Sequence, residues 1–432
     1  MSVVVPQYES PSLRRRRRAE RANIRLDLQG LRMVAVLAIL AHHLWGVPRG
    51  GFVGIDVFFV ISGFLVTGGL LRSTEGRERP SMRQFYWNRL RRIVPAATVV
   101  LLLTCVAAAL VFPAARAHQV GLDAAFAFVF LANWRFAAED AGGIASAQSP
   151  LQHYWALSVE EQFHLVWPVV VLALCLVVAR KGWPGARRAV LIGGVVGVLI
   201  AASWGWSLYE TATSPDWAYF DTAARLWELG IGALLATAAG VLARIPEVLK
   251  PALSWAGLVL IGAGMMLINA DSTGFPAPWA LLPVTGAALV IIAGVGSEPV
   301  LQGLLRNPVS TYLGDISYSL YLVHWPVIVI VGATMAPGAN FAACVLALSF
   351  GLAVACHHFI ENPLRDASPE RFRELRHDIR RGLYHPLPSS KYAAVAALTL
   401  VTVALIAFVT RPDAYDQGTP PPVPVVTPHE GG

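Results

Sequence analysis

Charge is what this sequence has least of. Only 14% of its 432 residues are Asp, Glu, Lys or Arg, against about 25% in an ordinary soluble domain. The polar surface of a soluble enzyme is largely missing, and a 55% hydrophobic content is incompatible with intrinsic disorder. Cysteine is scarce too. Cys105, Cys175, Cys344 and Cys356 all fall in apolar segments, and none forms a CxxC pair. That excludes a secreted disulfide scaffold and signals no metal site. Inverted internal repeats, which mark many secondary transporters, are not seen either.

What the chain has instead is apolar runs of roughly 17–25 residues, the length a bilayer demands of a helix. They recur from about residue 31 to residue 410. The sequence predicts an all-α, polytopic transmembrane bundle of about eleven spans (ten to twelve). These lie near 31–47, 52–71, 93–112, 157–179, 189–208, 223–243, 253–270, 277–296, 315–334, 340–360 and 391–410. A further segment, 119–133, is short for a span and bracketed by Asp123 and Asn133. It is expected to be re-entrant or interfacial.

The basic balance, 34 Lys and Arg against 27 Asp and Glu, would suggest nucleic acid in a soluble protein. In a membrane protein it collects on cytoplasmic loops, and no nucleic-acid partner is expected. With eleven spans and a cytoplasmic N-terminus, 28 of the 34 basic residues fall on the inner side. Arg32 and Arg225 then lie within helices, and only Arg49, Arg116, Arg135 and Arg411 lie outside. Three regions follow: a basic cytoplasmic tail over 1–26 with the run Arg14 to Arg18, a membrane domain over 27–411, and a proline-rich extracytoplasmic tail over 412–432. The tail reads as an extended linker, which suggests a lost or separate extracytoplasmic domain. Arg32, His42 and His43 interrupt the first apolar stretch and no A-x-A site follows, so a retained helix is expected rather than a cleaved signal peptide.

An ionisable group inside a membrane costs about 2.5–3.5 kcal/mol on insertion scales, so each needs a reason. Arg32 and His43 are eleven residues apart, which on a helix returns to within about 20° of the same face some 16 Å further along. His42 points about 80° away from Arg32. The first helix thus carries a guanidinium near one end and an imidazole, a general base near neutral pH, deep in the membrane on one face. In the second helix, packing accounts for Gly51, Gly54 and Gly63 but not for Asp56, which needs a polar partner; His43 is one candidate. Ser62 lies near that helix's middle.

Arg89, Arg91 and Arg92, with Phe85, Tyr86 and Trp87, stand at the mouth of the third span. They fit ordinary inner-face anchoring with an aromatic belt, or a guanidinium cluster for a phosphate-bearing ligand. In HYWALSVEEQFHLVWP, Glu160 and His164 share a helix face with Glu161 beside them. His324 falls near a helix middle with Ser317, Tyr318 and Tyr321 at hand, and Glu361 closes its helix before Pro363. His357 and His358 point about 100° apart, so no metal is expected there.

Six phrases together resemble the acyltransferase-3 family of bacterial membrane O-acyltransferases: LDLQGLRMVAVLAILAHH, GGFVGIDVFFVISGFLVTGGLL, FYWNRLRRIVPA, PLQHYWALSVEEQFHLVWP, ISYSLYLVHWPVIV and FIENPLR. They occur in the family's order. The resemblance implies an acetyl-CoA or other acyl-CoA donor on the cytoplasmic side and a hydroxyl acceptor on an envelope carbohydrate or glycolipid. It implies no permanently bound cofactor and a place in the bacterial cytoplasmic membrane. Arg32 and His43 match the family's R-x10-H pair, Arg89 and Arg92 its R-x-x-R motif, and Glu361 the glutamate of F-x-E-x-P. His164 stands where the family usually has tyrosine, and relatives of this type often carry an SGNH hydrolase-like domain after the last helix. On this reading Arg89, Arg92 and Arg32 hold the donor's phosphates. His43 is the base or transient acyl carrier, Glu160 or Asp56 orients it, and His324, Tyr318 and Glu361 serve the substrate or the polar framework. The rival expectations are a transporter or flippase of envelope precursors, using the same buried groups as a pathway, and a scaffold acting through its basic loops.

Overall fold

A computed structural model describes residues 25–75, 82–141, 148–181, 185–269, 274–365 and 388–409. The basic run Arg14 to Arg18, most of the basic connection after Glu361 and the proline-rich tail 412–432 lie outside them.

The described residues form helices and no strand. In chain order these are α1 Leu26–Trp45, α2 Gly54–Glu75, α3 Met82–Val111, α4 Ala114–Phe128, α5 Ala132–Ala141, α6 Tyr154–Arg180, α7 Gly185–Thr213, α8 Pro215–Phe220, α9 Thr222–Thr237, α10 Lys250–Leu267, α11 Leu281–Ala293, α12 Pro308–Asp315, α13 Ser317–Gly332, α14 Ala339–Cys356 and α15 Pro388–Val409. A π-helical turn, His357–Glu361, follows α14. Every expected span coincides with a helix. Among the described residues seven helices are long and apolar enough to cross a membrane, and α12 with α13 makes an eighth if that bent pair is one span. The apolar helices Leu281–Ala293 and Tyr392–Ile406 are shorter.

Two expected spans, and the short segment expected to be re-entrant or interfacial, take particular forms. The stretch 315–334 is not straight: α12 meets α13 at a 66° bend. The bend lays residues 303–315 across the start of α1 at backbone contact. A Cβ on Gly314 would collide with the Gln29 carbonyl, and one on Gly30 with the Leu305 backbone. The stretch 223–243 becomes the shorter α9, started by Asp221, whose carboxylate accepts from Ala223 N and Ala224 N. Segment 119–133 splits into α4 and α5 around Phe130, whose φ is +59°. Fifteen residues of α4 rise about 22 Å, short of a ~30 Å hydrocarbon core. Arg135 and Ser149 tie down its buried Asp123, at 2.5 and 2.6 Å.

The packing around α2 positions the polar groups. A Cβ on Gly63 would strike the Leu229 carbonyl, and one on Gly232 the Val60 carbonyl. Small residues thus let α2 and α9 touch backbone to backbone, as membrane helices do where lipid supplies no hydrophobic drive. The α1 helix ends at Gly46, in the left-handed region at φ +70°, whose N–H closes on the His42 carbonyl at 2.8 Å.

Candidate functional site

Two cavities lie at different depths along α1. One, of about 130 Å³, is lined by Arg32, Ser62, Arg89, Arg92, Glu160 and Tyr318 among others. The second, of about 620 Å³, is lined by His43, Trp45, Arg116, Trp325 and Phe341 among others. They are called the arginine and histidine cavities below. The single face on which the helical period places Arg32 and His43 therefore serves both.

At the arginine cavity the three guanidinia are not equivalent. Arg89 donates twice to Glu161, from Nε at 2.9 Å and from Nη2 at 2.5 Å, the bidentate fork that suits a carboxylate. Its Nη2 also touches His164 Nδ1 and stands 3.6 Å from Glu160. His164 Nδ1 also lies 3.3 Å from Glu161 Oε1, and since the one Ser62 hydroxyl proton goes to Glu160, Ser62 Oγ accepts from His164 and Nε2 carries a proton. That Nε2 donates to Ser62 Oγ at 2.9 Å, and Ser62 donates in turn to Glu160 at 2.6 Å. A chain from Arg89 through His164 and Ser62 to Glu160 joins α3, α6 and α2. Donor atoms of Glu160, Glu161 and His164 lie within 4.8 Å of one another, but the Arg89 guanidinium already reaches all three residues. By contrast, among the described residues Arg32 donates only to Gln29, at 3.2 Å, and neither Arg32 nor Arg92 forms an ion pair with a carboxylate. Tyr318 is anchored by donation to the Ile93 carbonyl at 2.9 Å.

The histidine cavity rests on three imidazoles. His43 Nδ1 lies 3.1 Å from His324 Nε2, with the rings stacked at 5.3 Å and 12°, and Trp325 flanks His43 at 4.6 Å. His153 packs edge-on against His324 at 5.6 Å. Its place follows from local sequence. Pro326 has no N–H and leaves the Leu322 carbonyl of α13 without its helical donor; His153 Nε2 donates to that carbonyl at 3.0 Å. Tyr321 closes the join by donating to the His153 carbonyl at 2.7 Å, and its side chain also lines the arginine cavity. His42 faces away, its Nδ1 donating to the Pro48 carbonyl at 3.1 Å.

Two expected pairings are therefore corrected. Asp56 does not meet His43; it accepts from Arg225 at 2.5 Å, and Arg225 lies 3.0 Å from Glu228. All three are almost wholly buried, with Phe59, Trp155, Tyr219 and Phe275 around the guanidinium. Nor does Glu160 orient His43, because it belongs to the Ser62 chain; His324 is the group against Nδ1. Glu361 is held by Ser319 at 3.0 Å and His357 Nδ1 at 3.1 Å, in the π-helical turn. His153 and the Arg225 triad were not found as sites from sequence, since their partners are 169 residues away in the chain in both cases. A usable signal existed for His153, namely the carbonyl that Pro326 must free.

Apolar helices in this number, with polar groups gathered at two cavities, define a multi-pass α-helical membrane protein. The chain belongs to the family described as an acyltransferase domain, which matches residues 25–358. It is similar to "Peptidoglycan O-acetyltransferase OatA" of Listeria monocytogenes, with 28% identity over 87% of this chain and 61% of that protein. It is also similar to "Putative peptidoglycan O-acetyltransferase YrhL" of Bacillus subtilis, 32% identical over 78% of this chain and 54% of that one. A "Putative O-acetyltransferase" of Staphylococcus aureus shares 31% identity over 78% of this chain and 57% of its own length. The chain thus spans between 54% and 61% of the length of these relatives. No solved structure matches it.

Proposed function

We propose that the chain is the membrane domain of an O-acyltransferase that moves an acetyl or other short acyl group from acyl-CoA to a hydroxyl of an envelope glycan or glycolipid. The observation that carries this reading is the division of α1 between two cavities. Its Arg32 joins Arg92 as a guanidinium without a carboxylate partner among the described residues at one, and its His43 faces the other. The names of the Listeria and Bacillus relatives support an envelope glycan as acceptor. The excess of basic residues expected on one side supports a cytoplasmic arginine cavity, in the inner membrane of a bacterium.

Arg32 and Arg92 would bind the donor's phosphates, since unpaired guanidinia match phosphate oxygens bidentately. Arg89, already forked to Glu161, shapes the wall instead. About 130 Å³ is well below the 300–1,000 Å³ of a site that encloses a drug-sized ligand, so this cavity takes part of the donor and not the whole. The thioester is already activated, and the protein's task is to position reactants and manage one proton. The acceptor hydroxyl oxygen attacks the thioester carbonyl carbon while His43 Nε2 takes the hydroxyl proton. The C–S bond then breaks, the thiolate receives that proton from His43, and the ester and free CoA leave.

Membranes containing the wild type or His43→Ala, given acetyl-CoA labelled on the acetyl carbon, test the reading. CoA release and alkali-labile label in the glycan fraction should appear with the wild type and vanish with the variant. Unchanged incorporation in His43→Ala removes His43 from the mechanism. No label and no CoA release from the wild type, even with longer acyl donors and an added SGNH-type domain, favours transport of an envelope precursor.

A further inference from the structure

The hydrogen bonds around His324 determine more than its own orientation. Its Nδ1 lies 2.7 Å from the Tyr321 carbonyl and 3.2 Å from the Leu320 carbonyl. Both oxygens can only accept, so Nδ1 carries the ring proton and donates to them. With one proton on a neutral imidazole, His324 Nε2 is left as an acceptor. The atom facing it, 3.1 Å away, is His43 Nδ1, which must therefore be the donor. His43 then keeps no proton on Nε2, and Nε2 takes no hydrogen bond from the described residues, while the side chain lines the histidine cavity.

We propose that His324 is a positioning residue for acyl transfer, holding His43 in the Nδ1–H tautomer so that a bare Nε2 lone pair faces the histidine cavity. This rests on the reading of His43 as the base. The arrangement has the logic of a catalytic triad, in which a third group fixes the tautomer of the base. The third group here is an uncharged ring whose own tautomer is locked by two carbonyls of α13, so no carboxylate is needed beside His43. The other rings around His43, those of Trp325, His42 and His153, do not compete for Nδ1: His42 Nδ1 and His153 Nε2 are bonded to the Pro48 and Leu322 carbonyls. His324 itself is fully buried, which keeps water from substituting for either bond.

The test pairs two substitutions with a direct reading of the tautomer. His324→Leu keeps apolar bulk but removes the acceptor, whereas His324→Gln places an amide oxygen where Nε2 was. Nitrogen NMR of the protein labelled with 15N-histidine in lipid nanodiscs separates protonated from bare ring nitrogens, and His43→Gln identifies the His43 signals. The expected result is a His43 proton on Nδ1 in the wild type and in His324→Gln, with a shift of population towards Nε2–H in His324→Leu. Acyl transfer should fall by about tenfold or more in His324→Leu at unchanged KM for the donor, and be largely restored in His324→Gln. A wild-type His43 protonated on Nε2, or a folded His324→Leu turning over at the wild-type rate, overturns the proposal. If the tautomer is as expected but the wild type transfers no acyl group, the positioning stands and the functional reading fails.

Discussion

Arginine stands among the apolar helices of this protein in two places, and the two are handled in opposite ways. Arg225 is 1% exposed and has carboxylates against it, Asp56 at 2.5 Å and Glu228 at 3.0 Å. Arg32, half-buried, and Arg92, exposed at the cavity's mouth, line a cavity with no carboxylate among the described residues paired to either. A charge taken out of water must be compensated by hydrogen bonds and an opposite charge. Where the protein supplies that compensation, the group holds helices together, here α2 to α9. Where it leaves the compensation to something else, the group is available to an anion. Arg89 shows both patterns at one cavity wall, because its fork is taken by Glu161 while its neighbours are open.

The largest expected effect breaks the closed site. Arg225→Ala leaves Asp56 and Glu228 buried together without a cation, which should cost on the order of 3–5 kcal/mol. Little monodisperse protein should survive detergent extraction and size-exclusion chromatography, whereas Arg92→Ala should elute like the wild type. Equal losses in the two variants would erase the distinction.

The next effect belongs to the open site. Arg92→Ala and Arg32→Ala should each raise KM for acetyl-CoA by about 10- to 100-fold, the worth of a charge-assisted hydrogen bond. Arg92→Lys should recover only part, since an ammonium cannot reproduce the fork. Steady-state CoA release over a range of donor concentrations decides this, and a change confined to kcat would contradict it.

The smallest effect sharpens the comparison from within the arginine cavity. Ser62→Ala removes one donor and one acceptor from the chain between His164 and Glu160, and should lower stability by about 1 kcal/mol. Thermal unfolding in detergent measures that directly. A loss of CoA release far beyond the loss of folded protein would show that Ser62 takes part in the chemistry.

Much of the helical order was legible, because apolar run length reports directly on membrane helices. The eleven expected spans each coincide with a helix, and the face shared by Arg32 and His43 follows from 100° per residue alone. Less legible were breaks within apolar runs. The bend between α12 and α13 goes with close contact of Gly314 with Gln29 and of Gly30 with Leu305, and neither contact has a local signature. The split of 119–133 at Phe130 is similar, its Asp123 being stabilised by Arg135 and Ser149.

By itself the sequence determined that this is an all-helical membrane protein of the acyltransferase-domain family, and which polar residues stand inside its apolar segments. The helical class and the buried polar positions rest on hydrophobicity and helical period, both local properties of the chain; the family rests on the resemblance of its six phrases. Which polar residue meets which was decided by tertiary structure alone. Asp56 found Arg225 rather than His43, Glu160 found Ser62, and His43 found His324, 281 positions away. The reason is physical. A buried polar group is stabilised by whichever complementary atom the packing brings within about 3 Å, and the packing of α2 on α9 and of α1 on α13 is set by shape across the whole bundle.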